Sequence, residues 1–282
     1  MFRTRLLSGV LLVIIALATI MAGDGILAAV LCLVSLIAYR ELIRACGVYT
    51  EGNAPEAVGM VMTVLYYGLL FMTLYVGGEQ ADVLAKVYPV IVIAVVLTMI
   101  VFLFMYVFTF PRYKAQQIMA SMFSWLYGPV MLSFIYLTRE GFEHGKYLVW
   151  FVFLCSWGSD TCAYAVGVLF GKHKMTPKLS PKKSVEGAVG GIVGAALLFV
   201  LYTHFAVNRY SQASLSLLLV AALGAAGAVV SMIGDLAASA IKRDHDIKDY
   251  GKLIPGHGGI MDRFDSVIIA APLVFIGLML IA

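Results

Sequence analysis

Apolar residues occur along this 282-residue chain in long runs separated by short polar segments. Several runs reach the ~20 residues that a helix needs to cross a bilayer. None shows the alternating ten-residue segments of a membrane barrel. The pattern predicts an all-α polytopic integral membrane protein, because a helix satisfies its own backbone hydrogen bonds in lipid. The nine helices that we predict cover roughly 5–22, 25–45, 56–76, 87–110, 115–138, 147–170, 186–206, 213–241 and 266–282.

Composition supports a membrane protein. The chain is 62% hydrophobic and 13% charged, with a mean hydropathy of +0.95, whereas soluble proteins are roughly 45–50% apolar. Its four cysteines do not have the spacing of a zinc site, and they do not require an oxidising compartment. The apolar run 6–22 follows a basic start, as in a signal peptide, but residues 20–22 make a poor cleavage site, so we expect a first membrane helix.

The distribution of Lys and Arg predicts the orientation. With a cytoplasmic N-terminus, 16 of the 20 fall on the cytoplasmic side and 4 on the other. The positive-inside rule therefore puts the N-terminus in the cytoplasm and the C-terminus outside. The polar loops 171–185 and 242–265 then share the cytoplasmic side. We divide the chain into 1–140, with about five helices, and 141–282, with about four helices and these two loops.

Two predicted helices carry a carboxylate within apolar sequence, Asp160 in the sixth and Asp235 in the eighth. Such a charge costs about 2.5–3.5 kcal/mol on insertion scales, so each should face the protein interior or a wet cavity. A structural pair with Lys or Arg and a shared polar cavity open to the cytoplasm both fit this pattern. Helical spacing puts Tyr164, Gly167 and Gly171 on the face of Asp160, and Ser231, Ser239 and Lys242 on that of Asp235.

Other features suggest packing or contact with the membrane surface. The segment 39–44, which includes Tyr39, Arg40 and Glu41, is interpreted as an anchor near lipid headgroups or a grip on an anionic lipid. Pro129 predicts a kink in the fifth helix. The seventh helix carries glycines at the spacing that lets membrane helices approach closely: Gly187, Gly190, Gly191 and Gly194.

The two cytoplasmic loops hold the candidate chemistry. The loop 171–185 has five lysines and no acid, which suits anionic lipid or polyphosphate as well as simple topology signalling. The loop 242–265 combines carboxylates and lysines with the turn Pro-Gly-His-Gly-Gly at 255–259. Carboxylates without cysteines favour a hard cation, Mg²⁺ first. Glycines allow close approach of an anion. His257 could contact phosphate, act as a base or support the turn. No Walker A motif is present.

The segment 239–265 resembles the signature of the phosphatidate cytidylyltransferases, or CDP-diacylglycerol synthases. Its matching positions are Ser239, Lys242, Arg243, Lys248, Asp249, Gly251, Pro255, His257, Gly258, Gly259, Asp262, Arg263 and Asp265. The resemblance extends to Asp160-Thr161, to 180–184 with Glu186-Gly187, and to Ser231 with Gly234-Asp235. It covers the N-terminal half by helix pattern only. Ser184 stands where Thr is more usual, and Asp246 where a small residue is common.

The resemblance implies that CTP and phosphatidic acid give CDP-diacylglycerol and pyrophosphate, with Mg²⁺ and with or without a second cation. It implies a homodimer of the cell (inner or plasma) membrane, active on the cytoplasmic side in phospholipid biosynthesis, without a nucleic-acid partner. The implied catalytic residues are Asp235, Asp262, Lys242, Arg263 and His257. The implied metal ligands are Asp235, Asp262, Asp265 and Asp160. The implied substrate-binding residues are Lys182, Lys183, Ser184, Ser231, Ser239, Arg243, Lys248, Asp249, Gly258 and Gly259.

Two alternatives remain open at the level of sequence. A related membrane CTP-dependent lipid-phosphate transferase or lipid kinase would use the same phosphate chemistry but release a different product. A cation-coupled transporter would explain intramembrane aspartates, although it gives no reason for the glycine-histidine turn.

Overall fold

The computed structural model describes residues 2–48, 52–76, 83–211, 214–256 and 258–281. Nine helical segments dominate it. Three of them, α5, α6 and α7, contain a π-helical turn, at Leu126–Val130, Leu154–Gly158 and Thr203–Val207 respectively. The segments are α1 Phe2–Ala22, α2 Asp24–Ala45, α3 Ala54–Val76, α4 Val83–Thr109, α5 Ala115–Glu140, α6 Gly145–Phe170, α7 Val185–Tyr210, α8 Leu217–Asp244 and α9 Met261–Ile281.

The helix pattern confirms an all-α polytopic membrane protein. Within the described residues, eight helices, α2 to α9, are long and apolar enough to cross a membrane, while α1 contributes a shorter apolar stretch, Gly9–Ala22. The predicted boundaries were wrong in places. The last helix begins at Met261 rather than at 266, and α8 runs to Asp244 rather than to 241. Asp262 and Asp265 therefore belong to a helix and not to the loop before it.

The lysine loop between α6 and α7 contains a small antiparallel hairpin. Its strands are β1 Lys174–Thr176 and β2 Ser180–Ser184, with Lys174 opposite Ser184 and an irregular register between the two ends. The strand β2 leads directly into α7, so the position of the hairpin is tied to the start of that helix.

Close helix packing surrounds α7. A Cβ added at Gly190 would lie 2.5 Å from the Cβ of Val166, and one at Gly194 would lie 2.5 Å from the Cβ of Cys162. These glycines therefore let α7 approach α6, as their spacing predicted. On its other side α7 packs against α8, which in turn packs against α9.

The helix α2 is more deeply embedded than a headgroup anchor would be. Tyr39 is fully buried and its hydroxyl donates a hydrogen bond of 2.7 Å to the Pro55 carbonyl. Arg40 Nε lies 2.7 Å from Glu56 Oε1. Glu41 is only 7% exposed. The interpretation of this segment as an interfacial anchor is therefore wrong for Tyr39 and Glu41, whose side chains pack inside the protein.

Candidate active site

Asp262 stands at the start of α9 and is almost enclosed, with 3% of its side chain exposed. Its Oδ1 accepts a hydrogen bond of 2.9 Å from Lys242 Nζ at the end of α8. Its Oδ2 accepts from the backbone N–H groups of Tyr250, at 2.8 Å, and Gly259, at 2.9 Å. One carboxylate thus ties the end of α8, the middle of the loop 245–260 and the start of α9 together.

Loop residues around Asp262 complete this arrangement. Gly258 has φ +87°, a left-handed conformation that favours glycine, and a Cβ there would lie 2.8 Å from Asp262 Oδ2. Tyr250 is buried beneath the loop, and its ring lies 5.3 Å from Lys242 Nζ. Burial raises the pKa of the Tyr250 phenol. The phenol therefore stays neutral and donates a hydrogen bond of 2.8 Å to the Ala238 carbonyl.

Asp235 lies on the opposite side of the site, in α8. Its Oδ2 is 2.5 Å from Lys183 Nζ in β2, and both side chains are about one quarter exposed, at 26% and 24%. This ion pair joins the basic hairpin to α8. The expectation that Asp235 pairs with a lysine is met, and Asp235 and Lys183 also line one cavity, whose walls are largely apolar.

Asp160 and Asp265 lie close to this pair. Asp160 interacts electrostatically with Lys183 and Asp235, and it lines the same cavity as Ser266. Asp265 interacts electrostatically with Asp235, and its Oδ1 accepts a hydrogen bond of 2.8 Å from the Ser266 N–H. The structure thus brings Asp160, Asp235 and Asp265 together from three helices, while Asp262 is held nearby by its own partners.

Three cavities open around these groups. The lysine cavity, about 470 Å³, lies between the hairpin and helices α6, α7 and α8. The loop cavity, about 550 Å³, is predominantly polar and is lined by residues 254–256, Gly258 and the charged side chains around them. A smaller cavity of about 270 Å³ reaches the carboxylates from the side of α1. Asp160 lines the first and third cavities, and Arg263 lines the second and third, so the charged groups stand between the three spaces.

The two larger cavities differ in their walls. The lysine cavity has cations at its hairpin end and small or apolar side chains along the helices: Lys174, Lys182 and Lys183, then Ala163, Gly167, Val168, Gly187, Ala188 and Met232. The loop cavity presents charged side chains and exposed backbone: Lys248, Asp249, Lys252, Arg263, Gly251, Pro255, Gly256 and Gly258. One cavity is therefore amphipathic, with mostly apolar walls, and the other is predominantly polar, with Ile254 and Pro255 as its apolar lining.

The remaining candidate residues from the sequence differ in their burial and in their contacts. Ser184 caps α7, its Oγ accepting a hydrogen bond of 3.1 Å from the Gly187 N–H, and it also lines the lysine cavity. Ser231 Oγ is fully buried and has no hydrogen-bond partner. Ser239 is half-buried in α8 and Arg243 is exposed at its end. His257 lies outside the described residues.

Sequence reasoning missed two residues near the carboxylates. The Tyr127 hydroxyl in the π-helical turn of α5 is buried without a hydrogen-bond partner and interacts electrostatically with Asp265 and Asp235. Glu41 of α2 contacts the start of α9. A signal for Glu41 exists in the sequence, since it is a carboxylate within an apolar run. Its neighbouring arginines favoured a headgroup interpretation instead.

The donor chemistry around Asp235 suits a hard cation. Carboxylate oxygens and a buried hydroxyl without a partner, Ser231 Oγ, are ligands that Mg²⁺ accepts. In the described part of the chain, however, no three His, Cys, Asp or Glu side chains are arranged around one metal position. Lysine ammonium groups stand beside Asp235 and Asp262. A metal could therefore bind to Asp235 or Asp262 only if the paired lysine moved away or if the lysine and the metal contacted the same carboxylate together.

Known proteins similar to this chain point to one family. A phosphatidate cytidylyltransferase of Staphylococcus aureus is 28% identical over 277 residues, which cover 96% of each chain. One of Haemophilus influenzae is 33% identical over 146 residues, 51% of this chain and 50% of that one. One of Staphylococcus epidermidis is 35% identical over 144 residues, 51% of this chain and 53% of that one. The model of the cytidylyltransferase family matches residues 3–281, so the chain belongs to the cytidylyltransferase family.

Proposed function

We propose that this chain is a phosphatidate cytidylyltransferase, which transfers CMP from CTP to phosphatidic acid and releases pyrophosphate. The observation that carries the proposal is the family match over residues 3–281, together with relatives of that name at 28–35% identity. The cations and carboxylates between an amphipathic cavity and a polar one suit a reaction between a lipid phosphate and a nucleotide.

The reaction requires the protein mainly to align the two substrates and to neutralise their negative charge. A phosphatidate oxygen attacks the α-phosphorus of CTP, the new P–O bond forms, and the bond between the α-phosphorus and the α–β bridging oxygen breaks to release pyrophosphate. A phosphate nucleophile is already ionised near neutral pH, so the step does not depend on His257 as a base. In phosphoryl-type transfer the protein contributes alignment and charge neutralisation. Lys182, Lys183 and Arg263 supply the cations here.

We assign the lysine cavity to phosphatidate and the loop cavity to the triphosphate. The lysine cavity offers cations for the lipid phosphate and apolar helix walls for the start of the acyl chains. The loop cavity offers Lys248, Lys252, Arg263 and a left-handed turn at Gly258 for phosphate oxygens. The two substrates would then meet at the charged groups between the cavities, where Asp160 and Arg263 stand.

Mg²⁺ belongs to the proposal as well, with or without a second cation. The residues that would hold it are Asp235 and Asp262, with Asp265 and Asp160 as further ligands. When bound, the metal neutralises charge on the triphosphate and polarises the attacked phosphorus. In the structure the ammonium groups of Lys183 and Lys242 neutralise Asp235 and Asp262. Lys183 and Lys242 would serve the substrate phosphates while Asp235 and Asp262 hold the metal.

Topology and assembly complete the proposal. We propose nine membrane spans, with α1 as the first, a cytoplasmic N-terminus and an external C-terminus. The loops 171–185 and 242–265 then open to the cytoplasm, where CTP is available, and the protein lies in the cell membrane as a homodimer. The support for the orientation is the asymmetry of 16 against 4 Lys and Arg residues.

A product assay tests the function. Purified protein in detergent is incubated with CTP, Mg²⁺ and phosphatidate, and both pyrophosphate and the lipid product are measured. Equal amounts of pyrophosphate and CDP-diacylglycerol are expected, with none from diacylglycerol, which lacks the phosphate. Release of CDP would identify a lipid kinase. Binding without any product, as in a transporter, would also overturn the proposal.

A further inference from the structure

Glu41, in the N-terminal half of the chain, contacts the loop that carries the candidate active site. Its Oε1 accepts a hydrogen bond of 3.1 Å from the Ile260 N–H, and its Oε2 accepts one of 2.8 Å from the Met261 N–H. Met261 is the first residue of α9. The first N–H groups of a helix have no partner within the helix, and a carboxylate there also matches the positive end of its dipole.

Two loop glycines leave the space that the Glu41 carboxylate fills. A Cβ added at Gly251 would overlap Glu41 Oε1, and one at Gly259 would overlap both carboxylate oxygens. Neither glycine has a positive φ. Alanine is therefore compatible with the φ angle at both positions. At Gly259 the nearest atoms all belong to Glu41, whereas at Gly251 the Cα of Gly259 also lies 3.1 Å from the added Cβ. The loop and α2 are fitted to each other at this point.

Glu41 and Asp262 hold the same short segment from two sides. Glu41 binds the N–H groups of Ile260 and Met261, while Asp262 binds those of Gly259 and Tyr250. The three consecutive amides of residues 259–261 are thus fixed by two carboxylates, one from α2 and one from α9. This segment immediately precedes Asp262 and Arg263, so its position determines where these two charges stand.

We propose that Glu41 is a positioning residue of the active site, which holds the start of α9 so that Asp262, Arg263 and Asp265 face the substrates. This inference rests on the proposed function for its catalytic consequence, but its structural part does not. It gives a residue of the N-terminal region an influence on the geometry of the active site. The role is indirect in chemistry, because Glu41 acts through two backbone amides.

The test compares Glu41→Gln with Glu140→Gln. Glu140 makes the same kind of contact at the other end of α2, where its Oε1 accepts a hydrogen bond of 2.8 Å from the Asp24 N–H. Glutamine keeps one acceptor oxygen but presents an NH₂ group to the second amide. Glu140→Gln controls for the general loss of a helix-capping carboxylate, because this partly buried residue is distant in sequence and lies outside the proposed site.

Initial rates are measured for equal amounts of folded protein, with CTP and phosphatidate varied in turn. For Glu41→Gln we expect kcat to fall about 10- to 100-fold, the scale of a small misplacement of catalytic groups. The KM for phosphatidate should stay within about twofold, because Glu41 does not touch the lysine cavity that we assign to phosphatidate. Glu140→Gln should retain the kcat of the unsubstituted protein. Equal kcat for both variants, or a fall in both, would overturn the proposal.

A double-mutant cycle with Gly251→Ala tests the contact itself. Gly251→Ala alone should lower both the melting temperature and kcat, since its Cβ meets the Glu41 carboxylate. In a Glu41→Ala background the same substitution should cost clearly less than in the unsubstituted protein, because the nearest obstacle has been removed and only the Cα of Gly259, at 3.1 Å, remains. Additive effects in the cycle would show that the two residues do not interact and would overturn the proposal.

Tryptic cleavage at Lys248 and Lys252 provides a readout independent of turnover. Glu41→Gln should be cleaved there faster than the unsubstituted protein and faster than Glu140→Gln, because the following segment has lost an anchor. Unchanged cleavage would contradict the positioning role. If the unsubstituted protein forms no lipid product while cleavage and the cycle behave as expected, the proposed function fails and the positioning contact remains.

Discussion

Lys183 Nζ lies 2.5 Å from Asp235 Oδ2, an ion pair that joins the basic hairpin to α8. Both side chains line the lysine cavity, and Asp160 and Asp265 interact electrostatically with Asp235. The pair therefore stands where the cationic loop meets the group of carboxylates. The pair holds the hairpin against α8. Asp235 is partly exposed in its ion pair, whereas Asp262 is almost fully buried in its own, so we expect substitutions at the two aspartates to have different effects on stability.

Asp235→Asn should abolish turnover while the protein stays folded and inserted. Asparagine keeps the size of the aspartate side chain and one acceptor oxygen for Lys183, so we expect the fold and the insertion to persist. We would measure pyrophosphate release and the melting temperature in detergent. Asp244→Asn, at the exposed end of α8, is the control and should behave like the unsubstituted protein. Near-normal activity of Asp235→Asn would contradict a role in metal binding.

Asp262→Asn should lose both activity and stability. Its carboxylate is almost fully buried and accepts hydrogen bonds from Lys242 and two backbone N–H groups. Removing one partner of a buried ion pair costs about 3–5 kcal/mol, because the other charge is left uncompensated. Thermal melting should therefore separate the two aspartates. If Asp262→Asn melted like the unsubstituted protein, the three hydrogen bonds would not stabilise the loop as described.

Removal of divalent cations should stop the reaction, and Mg²⁺ should restore it. The physical reason is that the triphosphate and the carboxylates bring negative charge together, which a hard cation offsets. Pyrophosphate release is measured after treatment with a chelator and again after Mg²⁺ is added back. Turnover that persists in the chelator would mean that the lysines and arginines alone neutralise the triphosphate.

Gly190→Val should destabilise the protein by opening the contact between α6 and α7. Its side chain would collide with Val166, and overpacking of this kind costs about 1–3 kcal/mol. Gly68→Val is the matched control, because a Cβ at Gly68 would meet nothing within 4 Å. Melting temperatures of the two variants in the same detergent provide the comparison. A larger loss for Gly68→Val would show that glycine spacing does not drive packing here.

A reporter fused after Ala282 should register as external. Nine spans with a cytoplasmic N-terminus require this side, and the Lys and Arg asymmetry supports it. The same reporter inserted at residue 213, between α7 and α8, should also be external, whereas one at residue 178 in the hairpin should be cytoplasmic. A cytoplasmic signal after Ala282 would mean that one span has been miscounted.

The all-α polytopic architecture was predictable because apolar runs of membrane length are a strong signal, while the count of nine spans stays a prediction. The start of α9 was not. Asp262 and Asp265 were assigned to a charged loop, although acidic residues are favourable in the first turn of a helix. The hairpin was also missed, because β1 and β2 are short and rich in lysine and carry no alternating apolar pattern.

The chemistry of the site was predictable in outline but its pairing was not. Helical spacing correctly put Asp235 and Asp160 beside one cavity. It could not choose Lys183 for Asp235 or Lys242 for Asp262, since each pair depends on how distant segments pack. Glu41 lies more than 200 residues from its partners Ile260 and Met261 along the chain, and no periodicity connects positions so far apart. The division at residue 140 and the homodimer stay predictions.

The fit of Glu41 to Gly251 and Gly259 sets a condition for building chimaeras within the family. If the C-terminal half of this chain were joined to the N-terminal half of a relative, the N–H groups of Ile260 and Met261 would lose their acceptors. They would keep them only if the relative's second helix has a carboxylate at the position equivalent to Glu41. A relative with a smaller residue at the position of Glu41 would have room for side chains at the positions of Gly251 and Gly259, whereas this chain does not. Junctions should therefore be chosen by matching these three positions together, and not by the polar linkers between spans.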